Sequence, residues 1–159
     1  VEKMIELLRI DHRLLHGQVA FSWSKQIGTD CILLACDSLL NDKLRMSAIK
    51  MAKPSGIKVV AKTINDSIEA IKSGITDKYK LFVVVESIKD ADALARALDI
   101  KTINIGGTKP EEGKHMLSKA VYVDEADENI LKALVNDGFD VFTQMVPQDK
   151  RIETKELLK

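Results

Sequence analysis

Apolar positions in this 159-residue chain fall into short, β-branched runs separated by longer stretches with helical spacing. Runs suited to strands cover residues 4–10, 31–36, 58–61, 81–85, 102–105, 120–123 and 141–144. Ile32-Leu-Leu-Ala35 and Leu81-Phe-Val-Val-Val85 are almost unbroken apolar segments, which argues for strands buried on both faces, as in a parallel sheet. The helices between them have readable ends. Asn41 is placed to cap a helix with Leu44, Ala48, Ile49 and Ala52 on its apolar face, stopped by Pro54-Ser-Gly56. Ser87 and Asp90 have the form of a capping box ahead of Ala91, Leu94, Ala95 and Leu98. Asp124 caps a helix carrying Ile130, Leu131, Leu134 and Val135, and Gly138 stops it.

Regular β–α alternation predicts an α/β fold, a single doubly wound open sheet of about seven mostly parallel strands with helices on both faces. With no linker, repeat or low-complexity tract, residues 1–159 read as one domain. Ligands of such sheets bind beyond the carboxyl ends of the strands, where the strand order reverses. The loops expected on that edge are 11–17, 37–40, 62–65, 86–87 and 106–109.

Composition narrows the function by exclusion. Lysine plus arginine equals aspartate plus glutamate, 24 of each, so nothing in the balance calls for nucleic acid or an anionic membrane. Cys31 and Cys36 bracket an apolar run without metal-ligand spacing, the pattern of a reduced cytosolic protein; no metal and no cofactor are expected. No signal peptide is visible, and no apolar run approaches the roughly 20 residues of a membrane span, so direct membrane insertion is not expected. A nucleotide loop is also missing, because no G-x-G-x-x-G or Walker pattern follows the first strand.

The chemistry is concentrated in Arg9-Ile-Asp-His-Arg-Leu-Leu-His-Gly-Gln-Val19, where a strand, a charged turn and a helix start are packed together. His16, just before Gly17, is the candidate phosphoryl acceptor, since an imidazole with an ordinary pKa of about 6.5 is mostly neutral at pH 7 and keeps a free lone pair. An isolated histidine there would most often be a plain helix-start residue; the surrounding pattern reverses that balance. Arg13 is the candidate for stabilising the transferred group, because an arginine fork on the equatorial oxygens is worth ~10³-fold or more. Asp11 reads as an organiser of Arg13, and a salt bridge between the two is compatible with that role. Arg9 either binds the same phosphate or anchors Asp11. Main-chain N–H groups of Gly17, Gln18 and Val19 would point from the helix start at the anion. Asp37 and Asn104-Ile-Gly106-Gly107 are candidates for the remaining walls, although a double glycine after a strand is more often just a tight turn. His12 reads as exposed and dispensable, His115 as a surface residue and Cys36 as a structural thiol near the site.

The segment Arg9–Val19 closely resembles the active-site loop of the IIB proteins of the mannose/sorbose family of the bacterial sugar phosphotransferase system. The resemblance continues through Trp23, Asp37, Asn104-Ile-Gly-Gly107 and Val121-Tyr-Val-Asp124 and spans nearly the whole chain. One departure is His12, at a position that is acidic in many relatives. The resemblance implies seven strands with one antiparallel member near the C-terminal end, and a cytoplasmic phosphocarrier held at the inner face of the membrane by its partners. It implies that His16 accepts a phosphoryl group, on Nδ1, from a IIA protein on another chain. His16 then passes it to a sugar bound by the membrane components IIC and IID; self-association is also compatible with the family. Two other classes of function remain open on the residues alone. One is a phosphohistidine-dependent regulatory protein, and the other is a non-enzymatic phospholigand-binding module using Arg9, Arg13, Gly106 and Gly107.

Overall fold

A computed structural model describes residues 5–158. In chain order the elements are β1 (Ile5–Asp11), α1 (Gly17–Ile27), β2 (Cys31–Ala35), α2 (Lys43–Ala52), β3 (Lys58–Lys62), α3 (Ile64–Ser73), β4 (Leu81–Val85) and α4 (Ile88–Leu98). They continue as β5 (Thr102–Gly107), β6 (His115–Ser118), β7 (Val121–Val123), α5 (Glu125–Asn136), β8 (Asp140–Thr143), β9 (Ile152–Glu153) and a 3-10 turn at Thr154–Glu156. Met4, expected at the start of the first strand, lies outside the described residues.

Seven strands form the main sheet in the order β3-β2-β4-β1-β5-β8-β9. Every neighbouring pair is parallel except β8 and β9, so the sheet is mostly parallel with one antiparallel member near the C-terminus. Helices α1 and α2 carry the chain outward to β3 and bury Ala20, Trp23 and Ile49 against one face. Helices α3, α4 and α5 carry it back across the other face, burying Ile71, Leu94 and Leu131. This reversal of direction with a change of face is what right-handed crossovers require. It leaves β1, whose loop runs into α1, flanked by β4 and β5, whose connections leave on the opposite face. The β1–α1 loop therefore stands at the topological switch point.

Three local expectations need correction. Residues 120–123 do not enter the main sheet: Val121–Val123 pairs antiparallel with β6 in a separate hairpin. Ala120 has φ +66°, which interrupts extended backbone just before β7. Thr108 fastens this hairpin beyond β5, its hydroxyl donating to the Tyr122 carbonyl at 2.7 Å and accepting the Tyr122 N–H at 2.6 Å. The seventh strand of the main sheet is β9, whose two residues carry no readable period. The cap of α2 is Asp42, one residue later than Asn41, with its carboxylate accepting the Arg45 N–H at 3.1 Å. Helix α2 is rotated accordingly: Ile49 faces the core with Met46 and Ala52 partly buried beside it, while Leu44 and Ala48 face outward. The other helix ends follow expectation, with Ser87 capping α4 and Asp124 forming a reciprocal capping box with Asp127.

Candidate active site

The β1–α1 loop is fixed from below and open above. Leu14 and Leu15 are buried in the cluster beneath α1, so the loop is pinned to the core by two apolar side chains. Leu14 adopts φ +61°, a left-handed conformation that a branched side chain rarely takes, and its burial over-determines it. His16, the residue preceding α1, is exposed and makes no side-chain capping bond. Gly17 and Gln18, at the start of the helix, are exposed as well. No acidic residue occupies this first turn, so its main-chain N–H groups keep their positive end uncompensated.

Beside the loop, Asp11 is buried and held by two arginines. Oδ1 accepts the main-chain N–H of Arg13 at 3.0 Å and its Nε at 3.1 Å, while Oδ2 accepts a terminal nitrogen of Arg13 and one of Arg9, each at 3.2 Å. Burial pushes the Asp11 carboxyl upward, but the Arg13 hydrogen bond and the Arg9 charge outweigh it and hold the group below the ordinary carboxylate value. Arg13 is about one-third exposed, so it keeps an outward surface while being clamped.

Arg9 does not reach that surface. Its side chain is 2% exposed, and it donates to Asn104 Oδ1 at 2.6 Å and to the carbonyls of Met145 and Gln144 at 2.9 and 3.2 Å. It also lies 5.4 Å from the centre of the Trp23 ring, whose Nε1 donates to the same Met145 carbonyl at 2.9 Å. Of the two roles expected for Arg9, the geometry is that of the anchor of Asp11. Asn104, fully buried, is spent on Arg9 and on the Gln144 carbonyl. Gly106 is part of the same packing, since a Cβ there would lie 2.1 Å from Arg9 Cζ. Gly107 pairs with Asp11, and its carbonyl accepts the His12 N–H at 3.1 Å. Asp37, exposed after β2, accepts the main-chain N–H of Ile64 at 2.8 Å and so holds the start of α3.

Thus Asp11 at the end of β1, Arg13 and His16 in the loop, and Gly17 and Gln18 in the first turn of α1 follow one another along the same edge, while Arg9, Asn104 and Gly106 form the buried support under it. The Met145 carbonyl, where Arg9 and Trp23 converge, had no sequence signal, because any residue supplies such a group. Beyond His12 the strand edge opens into a groove of about 540 Å³ lined by Arg45, Glu86, Ser87, Lys109 and Lys114 among others. His12 is partly buried, contrary to expectation, and its Nδ1 is enclosed without a hydrogen-bond partner among the described residues. Burial lowers its pKa, with Asp11 opposing and Arg13 adding to the shift. Cys36 is buried, and burial raises its pKa, which disfavours a nucleophilic thiolate there. His115 is exposed and paired with Glu128 at 2.6 Å.

A doubly wound sheet with a histidine and a clamped arginine on the loop at its switch point defines the class: an α/β protein whose ligand-binding edge carries an imidazole and a guanidinium. The particular family is settled by comparison: residues 5–159 match the model of the PTS system sorbose subfamily IIB component, and the chain belongs to that family. The N-acetylgalactosamine-specific phosphotransferase enzyme IIB component 1 of Escherichia coli is 32% identical, covering 92% of this chain and 94% of that protein. The mannose-specific EIIAB component of Escherichia coli is 28% identical over 98% of this chain and 48% of its own length. The crystal structure of the IIBSor domain of the Klebsiella pneumoniae sorbose permease superposes with a TM-score of 0.91 at 29% identity, covering 97% of this chain and 95% of that one. The protein is therefore a IIB component of a sugar phosphotransferase system. Among the described residues, no helix is long and apolar enough to cross a membrane.

Proposed function

We propose that the protein is the IIB phosphocarrier in which His16 takes a phosphoryl group from phosphorylated IIA and gives it to a sugar bound by IIC and IID. In the first step a ring nitrogen of His16, Nδ1 by analogy with the family, attacks phosphorus. The phosphorus–nitrogen bond of the donor histidine breaks, and its electron pair returns to the donor ring. In the second step a sugar hydroxyl oxygen attacks the phosphorus on His16, the phosphorus–nitrogen bond breaks with its electron pair returning to the His16 ring, and the hydroxyl proton passes to water. This makes the protein a protein-Nπ-phosphohistidine–sugar phosphotransferase that works in the cytoplasm at the inner face of the membrane.

Arg13 supplies positive charge to the equatorial oxygens, and the main-chain N–H groups from Gly17 to Val19 supply the rest. Asp11 sets the direction of the Arg13 fork, and Arg9 holds Asp11. The observation that carries the reading is the exposed His16 at the start of α1, on the same loop as an arginine already held by a buried carboxylate. The mannose EIIAB relative, which joins the A and B parts in one chain, supports IIA as the donor.

The test starts from phosphoenolpyruvate, the general carriers and cognate IIA. One acid-labile, base-stable phosphoryl group is expected on the protein, absent from His16→Ala and retained in His12→Ala and Cys36→Ser. Phosphorylated protein added to membranes with cognate IIC and IID should transfer the label stoichiometrically to sugar. Label persisting in His16→Ala overturns the site; label that never leaves His16 overturns the carrier role.

A further inference from the structure

Helix α2 turns more apolar surface outward than its buried face accounts for. Leu44 is 83% exposed and Met51 89%, with exposed Ala48 between them at helical spacing, so the three form one stripe. Leu40, 46% exposed, continues it to the carboxyl edge of the sheet. Exposed Lys43 and Lys50 flank the stripe, and no acidic residue occurs from Lys43 to Lys53 in a chain whose charges otherwise balance. The face is thus apolar and locally cationic.

The first turn of α2 lies on the same sheet edge as His16, where Asp42 and Arg45 line the groove that His12 also borders. Helices α1 and α2 cover the same face of the sheet, and only β4 separates β1 from β2. Two interstrand spacings put the β1 and β2 loops about 10 Å apart. A transient interface of roughly 600 Å² per partner is about 25 Å across, wide enough to cover His16, Leu40 and Leu44 together.

Building on the phosphocarrier reading, we propose that the α2 stripe docks the phosphorylated donor protein, through an acidic, partly apolar rim around its phosphohistidine. Charge distinguishes donor from acceptor. The donor's phosphoryl group adds a charge of about −2 to its rim, which the lysines of α2 and Arg13 attract. After transfer the same charge sits on His16 and offsets that attraction, so the spent donor is released. The acceptor hydroxyl is neutral and gains nothing from the cations.

The experiment measures initial rates of His16 labelling against the concentration of phosphorylated cognate IIA. It compares wild type with a Leu44→Asp/Met51→Asp variant and a Lys43→Glu/Lys50→Glu variant. All four positions are exposed, and circular dichroism with thermal melting verifies the fold. The expected result is a KM at least about tenfold higher in both variants with kcat little changed. Labelling of His16 by phosphoramidate, a small donor that needs no docking, should be unchanged. An unchanged KM in both variants overturns the proposal. So does an unchanged KM accompanied by loss of binding to phosphatidylglycerol vesicles, or by loss of a dimer in sedimentation; these assign the stripe to lipid or to a second copy. If wild-type His16 takes label from neither IIA nor phosphoramidate, the phosphocarrier reading itself falls, and this one with it.

Discussion

Asp11 holds Arg13 at three points, accepting its main-chain N–H, its Nε and a terminal nitrogen. The carboxylate therefore fixes both the backbone turn after β1 and the direction of the guanidinium it carries. Since Asp11 is itself buried against Arg9, the orientation of Arg13 is inherited from the core of the sheet.

Asp11→Asn should affect stability and transfer together. The amide keeps the volume but loses the charge that two guanidiniums share, leaving buried Arg9 with only neutral acceptors. Removing one member of a buried ionic network predicts a loss of about 3–5 kcal/mol, or roughly 6–20 °C in Tm. Transfer from IIA should fall further than the loss of folded protein explains, because Arg13 loses its clamp. Urea titration and labelling rates on the same preparation check both parts.

Gly106→Ala tests the buried support. The added methyl would lie 2.1 Å from Arg9 Cζ, deep in the interior, so Arg9 must leave its site and break its bonds to Asn104 and Met145. A destabilisation of about 3 kcal/mol or more is expected, measured as a lower urea midpoint. At the adjacent Gly107→Ala the added methyl would meet the Ala120 carbonyl oxygen at an ordinary 3.5 Å, so this should be the milder change.

The order of strands and helices was legible because unbroken apolar runs such as Leu81–Val85 belong to buried parallel strands and the caps follow local chemistry. Two-residue β9 has no period to read, and the β6–β7 hairpin is fixed by the distant hydroxyl of Thr108. Helix α2 carries apolar residues around much of its circumference, so its pattern alone does not say that Ile49 faces inward and Leu44 outward. At the site, the shared loop of Asp11, Arg13 and His16 follows from contiguity. The burial of Arg9 does not, because its partners Asn104 and Met145 lie far along the chain.

Stability should fall with pH in two separate windows. The folded His12 pKa is below its ordinary value of about 6.5, so the unfolded chain binds more protons as pH falls through that value, and stability declines there. The folded Asp11 pKa is also lowered, so its contribution is complete above about pH 4 and is lost as pH falls toward the folded value. His12→Gln should remove the upper window and keep the lower one. Tm measured from neutral to acid pH in both proteins decides it; an unchanged profile near pH 6 in His12→Gln would contradict the assignment.

Arg13→Lys separates charge from geometry at the reacting group. Lysine keeps one positive charge but offers a compact ammonium in place of a planar fork, so it cannot reproduce the two side-chain bonds to Asp11 and still present a flat face to the phosphoryl oxygens. The main-chain N–H of residue 13 still reaches Asp11 Oδ1, so the turn itself should survive. Arg13 is partly exposed, and its replacement leaves the Asp11–Arg9 pair intact, so Tm should change little. Transfer should nevertheless slow at least about tenfold in both directions, from IIA to His16 and from His16 to sugar, because the same equatorial charge develops in each transition state. Single-turnover labelling, followed by a chase into sugar, measures the two steps separately. A rate loss confined to the first step would show that Arg13 serves donor docking instead of the transferring group, and unchanged rates in both would remove it from the chemistry.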